Sequence, residues 1–129
     1  MKNFILSERS EKNLQGVHPD LVKVIRLALA ISEVDFCIIE GVRTIDRQRE
    51  LKLKGHSQTL NSRHLTGHAA DLAPITNKII PWDRWEFFLM IANAMKESAK
   101  IANVPIIWGG DWISFKDGVH FELSREYYA

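Results

Sequence analysis

The sequence predicts an α+β domain with helices packed on a small sheet, and three observations carry that prediction. Hydrophobic residues make up 46% of the chain and charged residues 26%, which is globular composition with enough apolar side chains for a core. A chain of 129 residues fits one domain, spanning 1–129. Along it, stretches of helical apolar period alternate with short β-branched runs, in the order helix, strand, helix, strand, helix, strand, strand.

From His18 to Ser32 the apolar residues Leu21, Val24, Ile25, Ala28 and Leu29 share one helical face, and Pro19 suits a first-turn position. Val34 to Glu40 is short, apolar and β-branched, and Gly41 follows, which favours a buried strand. Thr44 can cap a second helix running through Gln48 and Leu51 to a stop near Gly55. Residues His56 to Thr66 are polar without a clear period and read as a loop, leading into a strand from Gly67 to Ala73. Pro81 and Asp83 open a long helix whose Trp85, Phe88, Leu89, Ala92, Met95 and Ala99 share a core-facing stripe down to about Asn103. Pro105 to Trp108 and Val119 to Leu123 read as closing strands, joined across Gly109-Gly110 and the polar Ser114 to Gly118 segment.

Charge and cysteine content narrow the function classes. Seventeen Lys+Arg against sixteen Asp+Glu leave a net charge of +1, with no basic stripe for a nucleic acid. Cys37 is the one cysteine, so no internal disulfide forms and stability rests on packing or a metal. The N-terminal apolar run is only three residues long, too short for a signal-peptide core, and nothing approaches the roughly 20 apolar residues of a membrane span. The expectation is a soluble protein without an export signal and without stable membrane association.

Two clusters carry chemistry. Ser62-Arg-His64-Leu-Thr-Gly67-His-Ala69-Ala-Asp71 sets a histidine in a loop and a carboxylate on the strand after it, with Gly67 permitting the turn between them. Asp117-Gly-Val-His120-Phe-Glu122 sets a carboxylate three residues before a histidine at a strand entry. A catalytic zinc takes three protein ligands from such residues and keeps one position for water, whose pKa falls to about 7. Two ligands from the first cluster and one from the second would complete that set.

The combination Ser-x-His-x-x-Gly-x-Ala-x-Asp, then Trp108-Gly-Gly-Asp111-Trp112, then Asp-x-x-His-Phe-Glu resembles the zinc peptidases that include D-alanyl-D-alanine dipeptidases and carboxypeptidases, on the hedgehog-type fold. Within that group the short form resembles the L-alanyl-D-glutamate peptidases that bacteriophages use as endolysins. The resemblance implies a small antiparallel sheet with helices packed on it and one catalytic Zn2+ held by His64, Asp71 and His120. It further implies Asp117 as the proton-shuttling base, Arg43 as the group that stabilises the oxyanion, and Ser62 as a substrate-binding hydroxyl. The substrate would be a peptidoglycan stem peptide, cut by a monomer that waits in the host cytoplasm until the membrane is opened.

Each residue also has a plainer reading. Asp71 and Asp117 can serve as turn residues, and Arg43 can form an ion pair with Asp46 or Glu40. Alternation turns His68 away from Asp71, and His18 and His56 lie outside both motifs. Trp108, Asp111 and Trp112 read as the floor of a cleft, and Glu122 as a carboxylate that holds a neighbouring ligand. Two other functions fit the same motifs: a D-alanyl-D-alanine carboxypeptidase or dipeptidase, and a zinc-containing binding module without catalysis.

Overall fold

Alternation along three strands divides the molecule into a core face and a polar face. In the computed structural model, which describes residues 3–55, 62–114 and 116–129, the elements are α1 (Glu8–Asn13), α2 (Pro19–Ile31), β1 (Asp35–Glu40), α3 (Ile45–Leu53), β2 (Ala69–Ile75), α4 (Trp85–Ala102), β3 (Ile106–Trp108) and β4 (His120–Leu123). The strands form one antiparallel sheet in the order β1-β2-β4-β3. Phe36 and Ile38 of β1, Ala70 and Leu72 of β2, and Phe121 and Leu123 of β4 belong to the apolar core. The residues between them, Asp71 on β2 and His120 and Glu122 on β4, therefore project from the other face.

Helices α2 and α4 supply the rest of the core. Leu21, Val24, Ile25, Ala28 and Leu29 of α2 are buried, as their spacing predicts, and burying each large aliphatic side chain contributes roughly 1.5–3 kcal/mol. Pro19 sits in the first turn, and His18 caps it by accepting the Asp20 N–H on Nδ1. On α4 the buried set is Phe88, Ile91, Ala92, Ala94, Met95, Ser98 and Ala99. The predicted stripe needs correction at two positions: Trp85 and Leu89 are exposed, while Ile91 and Ala94 turn inward. The helix also starts at Trp85, because Pro81 and Asp83 belong to a preceding turn closed by the Arg84 N–H on the Pro81 carbonyl. Asn103 ends it in the left-handed conformation.

Sequence periodicity does not reveal α1, a single capped turn and a half too short to show a stripe. Ser7 caps it. Its role is to cover the outer edge of β1, where Ser10 Oγ accepts the Ile38 N–H and Asn13 Nδ2 donates to the Ile38 carbonyl. Edge-strand polar groups that would otherwise stay open are thereby paired.

The pairing of β1 with β2 shifts register where Ile38 faces Leu72 and Glu40 faces Asp71, leaving Ile39 as an extra residue. This bulge sets Glu40, and not an isoleucine, opposite Asp71. Bulges re-aim side chains in this way beside functional sites. Of the predicted loop from His56 to Thr66, residues 56–61 lie outside the described residues, as does Phe115. Arg63–Thr66 form a short 3-10 turn capped by Ser62 and ended by Gly67 at φ 78°. A Cβ on Gly67 would also stand 2.4 Å from the Gly16 carbonyl oxygen. Gly67→Ala is accordingly expected to cost well over 1 kcal/mol in a denaturant titration, more than the gain an alanine brings at a compatible site.

Candidate metal centre

Three ligand atoms converge on the polar face of the sheet. Asp71 pairs directly with His120 across β2 and β4, and the 3-10 turn brings His64 over them. Asp71 Oδ1 lies 3.0 Å from His64 Nε2 and 3.3 Å from His120 Nδ1. One donor atom from each of His64, Asp71 and His120 lies within 4.8 Å of the other two, and all three residues are buried.

The outer hydrogen bonds fix which nitrogens face inward. His64 Nδ1 is 2.8 Å from the Gly41 carbonyl, which can only accept, so Nδ1 carries a hydrogen and Nε2 is left for the centre. His120 Nε2 is 2.9 Å from Glu122 Oε1, so Nε2–H points outward and Nδ1 inward. The inward nitrogens then meet Asp71 Oδ1 with lone pairs unless a cation comes between. Metal-ligating histidines use this arrangement, with the far N–H held by a carbonyl or a carboxylate. The donor set thus fits a metal ion, and two imidazoles with one carboxylate match a zinc or similar transition-metal site.

Electrostatics agree with a cation at this point. Burial by itself would raise the Asp71 carboxyl, but the facing rings of His120 and His64 hold it far below the usual carboxylate range. Burial would likewise lower His120, yet its bonds to Asp71 and Glu122 prevail and raise it to about 9. In the metal-free chain a proton on His120 fills the cation's place. Because the folded value lies above 6.5, that stabilisation is complete below pH 6.5 and is lost as pH rises through about 9. Thermal stability in chelator is therefore expected to fall as pH rises across that window, while uptake of a metal ion, which must displace the proton, strengthens.

Glu122 is itself held in place. Its Oε2 lies 3.9 Å from the Arg63 Nε and 3.7 Å from the Arg125 Nε, and Arg63 donates onward to the Leu123 and Tyr128 carbonyls. Burial opposes its ionisation, but the His120 hydrogen bond together with the charges of His120, Arg125 and Arg63 outweighs burial and lowers its pKa. Glu122→Gln keeps the shape but removes the charge, and affinity for a metal ion at this group is expected to fall about 10–100-fold in a competitive chelator titration.

The remaining predicted residues gather around this group to different degrees. Arg43 is half-buried, with its NH2 nitrogen 3.8 Å from Asp71 Oδ2. It also bonds Glu40 through Nε at 2.8 Å and through NH2, and Gln48 Oε1 through NH1 at 2.6 Å. Of the two ion pairs considered from sequence, Glu40 forms and Asp46 does not, since Asp46 faces Arg49. Gln48 was not anticipated. Its signal was a polar residue at the one buried position of an otherwise exposed α3.

Asp117 follows β3 and a short 3-10 turn at Gly109–Asp111, and its N–H bonds the Gly109 carbonyl. Gly109 has to be glycine, since a Cβ there would meet the Asp117 carbonyl oxygen at 2.4 Å. Burial, then the nearby Asp71 charge, pushes the Asp117 carboxyl up from its ordinary value. Ser62 Oγ accepts the His64 N–H, so it braces the turn that carries His64. The His68 ring lies apart from the group, beside Thr66 and His18.

Trp108 is buried between Trp85 and Phe121 and donates its indole N–H to the Gly118 carbonyl, a floor beneath the Asp117 segment. Trp112 packs 5.2 Å from the His120 ring. Asp111 is no part of that floor, because it pairs with Lys96 at the surface.

Comparison with known proteins agrees with this geometry. The L-alanyl-D-glutamate peptidase of Escherichia phage T5 is 35% identical over 129 residues, covering 98% of this chain and 93% of its own. The protein of the same name from Listeria phage A118 is 30% identical over 96 residues, of which this match spans 33% of its length. The crystal structure of the Serratia marcescens L-Ala D-Glu endopeptidase ChiX superposes with a TM-score of 0.89 at 49% identity, covering 97% of this chain and 95% of that one. The vancomycin-resistance D,D-dipeptidase VanXYg, solved with a D-Ala-D-Ala phosphinate analogue, shares the fold at a TM-score of 0.52 and 16% identity, over 83% of this chain and 50% of its own. A family model described as phage L-alanyl-D-glutamate peptidase matches residues 2–128, and with these relatives it establishes that the chain belongs to that family of peptidoglycan-cleaving enzymes.

Proposed function

We propose that the chain is a zinc endopeptidase that hydrolyses the L-alanyl-D-glutamate bond of peptidoglycan stem peptides, serving as a phage lysis enzyme. The observation that carries the proposal is the convergence of His64, Asp71 and His120 on one point, with outer hydrogen bonds already set for a metal, in a member of this family. These three residues hold the ion. When bound, zinc supplies Lewis acidity toward the scissile carbonyl and toward water.

The protein's own groups do the rest. Asp117, whose proton affinity is raised by burial and by Asp71, accepts a proton from the attacking water and returns it to the leaving amine. Arg43, braced by Glu40 and Gln48, presents a fixed positive charge to the carbonyl oxygen as it gains negative charge, with no reorganisation at that moment. The Ser62 hydroxyl accepts from the His64 N–H and donates its own hydrogen to the substrate backbone. Water attacks directly, so no covalent enzyme intermediate is required. The chain works as a monomeric single domain, held in the host cytoplasm until the membrane is breached; among the described residues no helix is long and apolar enough to cross a membrane.

Mass analysis of digested, purified peptidoglycan tests the reaction. New amino termini on D-glutamate are expected. Release of terminal D-alanine alone would reassign the chain as a D-alanyl-D-alanine carboxypeptidase or dipeptidase, and an intact wall after treatment with zinc-loaded protein would leave only the binding-module reading.

A further inference from the structure

A ladder of stacked aromatic rings runs from the core to the surface beside Asp117. Phe121 lies against Trp108 at 6.3 Å, Trp108 against Trp85 at 5.5 Å, Trp85 against Phe88 at 6.3 Å, and Phe88 against Trp82 at 5.9 Å. The inner rings are buried, whereas Trp85 is 47% and Trp82 61% exposed. Trp85 stands over Gly118, where a Cβ would come within 2.8 Å of the indole, and Gly118 is the neighbour of Asp117. The missing side chain at Gly118 is what lets the tryptophan reach the rim of the site.

Trp82 and Trp85 present aromatic faces to solvent on one side of the ladder, and Trp85 is fixed by stacking on Trp108 and Phe88. Trp85 meets the segment that carries Asp117 through Gly118, the next residue along. In peptidoglycan the L-alanine of the stem is joined through its nitrogen to the lactyl group of a muramic sugar. A bond cut after that alanine therefore lies one residue from a pyranose ring, whose C–H face is apolar and suited to stacking on an indole.

We infer that Trp85, with Trp82 beyond it, is a platform for the muramyl sugar next to the scissile bond, so that the enzyme selects stem peptides still attached to glycan. The inference rests on the L-alanyl-D-glutamate reading above. The platform binds substrate without taking part in proton transfer, and its loss raises KM with kcat little changed.

The test compares two substrates, a stem peptide bearing its muramyl sugar and the same peptide with an N-acetyl group in the sugar's place. Wild type is expected to favour the sugar-bearing substrate in kcat/KM. Trp85→Ala should lose about 3–10-fold on that substrate through KM, the scale of one aromatic stack, and stay near wild type on the other. Trp82→Ala, farther from the core and less exposed to folding problems, should show a smaller loss of the same selectivity; bound zinc and thermal midpoint confirm that each variant is folded. Equal losses on both substrates, no loss on either, or a wild type indifferent to the sugar would overturn the platform while leaving the peptidase intact. A wild type that cuts neither substrate would remove the reaction, and the platform with it.

Discussion

Asp117→Ala is expected to lower kcat on peptidoglycan by about 10²–10⁴-fold while bound zinc remains at the wild-type level. The first half follows from the proposed role of general base and acid, for a carboxyl that lies near enough to Asp71, His120 and His64 to feel their charges. The second follows from geometry, because the group that could hold a metal consists, among the described residues, of His64, Asp71 and His120 without Asp117. Stability gives an independent check. A carboxyl raised above its ordinary value by burial and by a like charge opposes folding when ionised, so its removal relieves strain in the metal-free protein at neutral pH. The variant's thermal midpoint should hold or rise, and a drop in both midpoint and zinc content would make Asp117 a structural residue instead.

His120→Ala carries the other large effect, the loss of zinc and activity together. Wild type at a thousandfold excess of zinc over Kd gains about 4.1 kcal/mol of stability by mass action, a clear rise in melting temperature for a domain of this size. The variant keeps two inward donors, too few for a tight site, and zinc should no longer move its melting temperature. Glu122 would also be left buried without the histidine that lowers its pKa. Calorimetry with and without zinc checks this; an undiminished zinc shift in the variant would exclude His120 from the ligand set.

Most of the sheet and the long helices could be read from the sequence because their apolar spacing is strong. The His18 to Ser32 helix and the Thr44 cap fall where the pattern places them. Three features were hidden for physical reasons. The first helix, Glu8–Asn13, is too short to show a period, and its purpose lies in hydrogen bonds to Ile38 that only the folded chain creates. The bulge at Ile39 has no residue signature, yet it decides that Glu40 faces Asp71. On the long helix, Trp85 and Leu89 share the helical face of the core residues by spacing, but Trp85 is drawn outward onto Gly118 and Trp108.

The convergence of His64, Asp71 and His120 was legible because histidine and carboxylate stood in two motifs whose strands pair, bringing Asp71 opposite His120. The restraint on Arg43 was only half legible. Glu40 lies three residues before Arg43, whereas Gln48 meets the guanidinium from within α3, five residues after it, as the one buried residue of that helix.

The central claim, that one zinc ion at His64, Asp71 and His120 is required to cut the wall, is tested most directly by reconstitution. Metal-free protein is titrated with zinc while the release of D-glutamyl amino termini from purified peptidoglycan is followed. The account predicts no release without zinc, a linear rise, and a plateau at one equivalent. Full activity in the thoroughly chelated protein, or a plateau that survives the His120→Ala substitution, would contradict it.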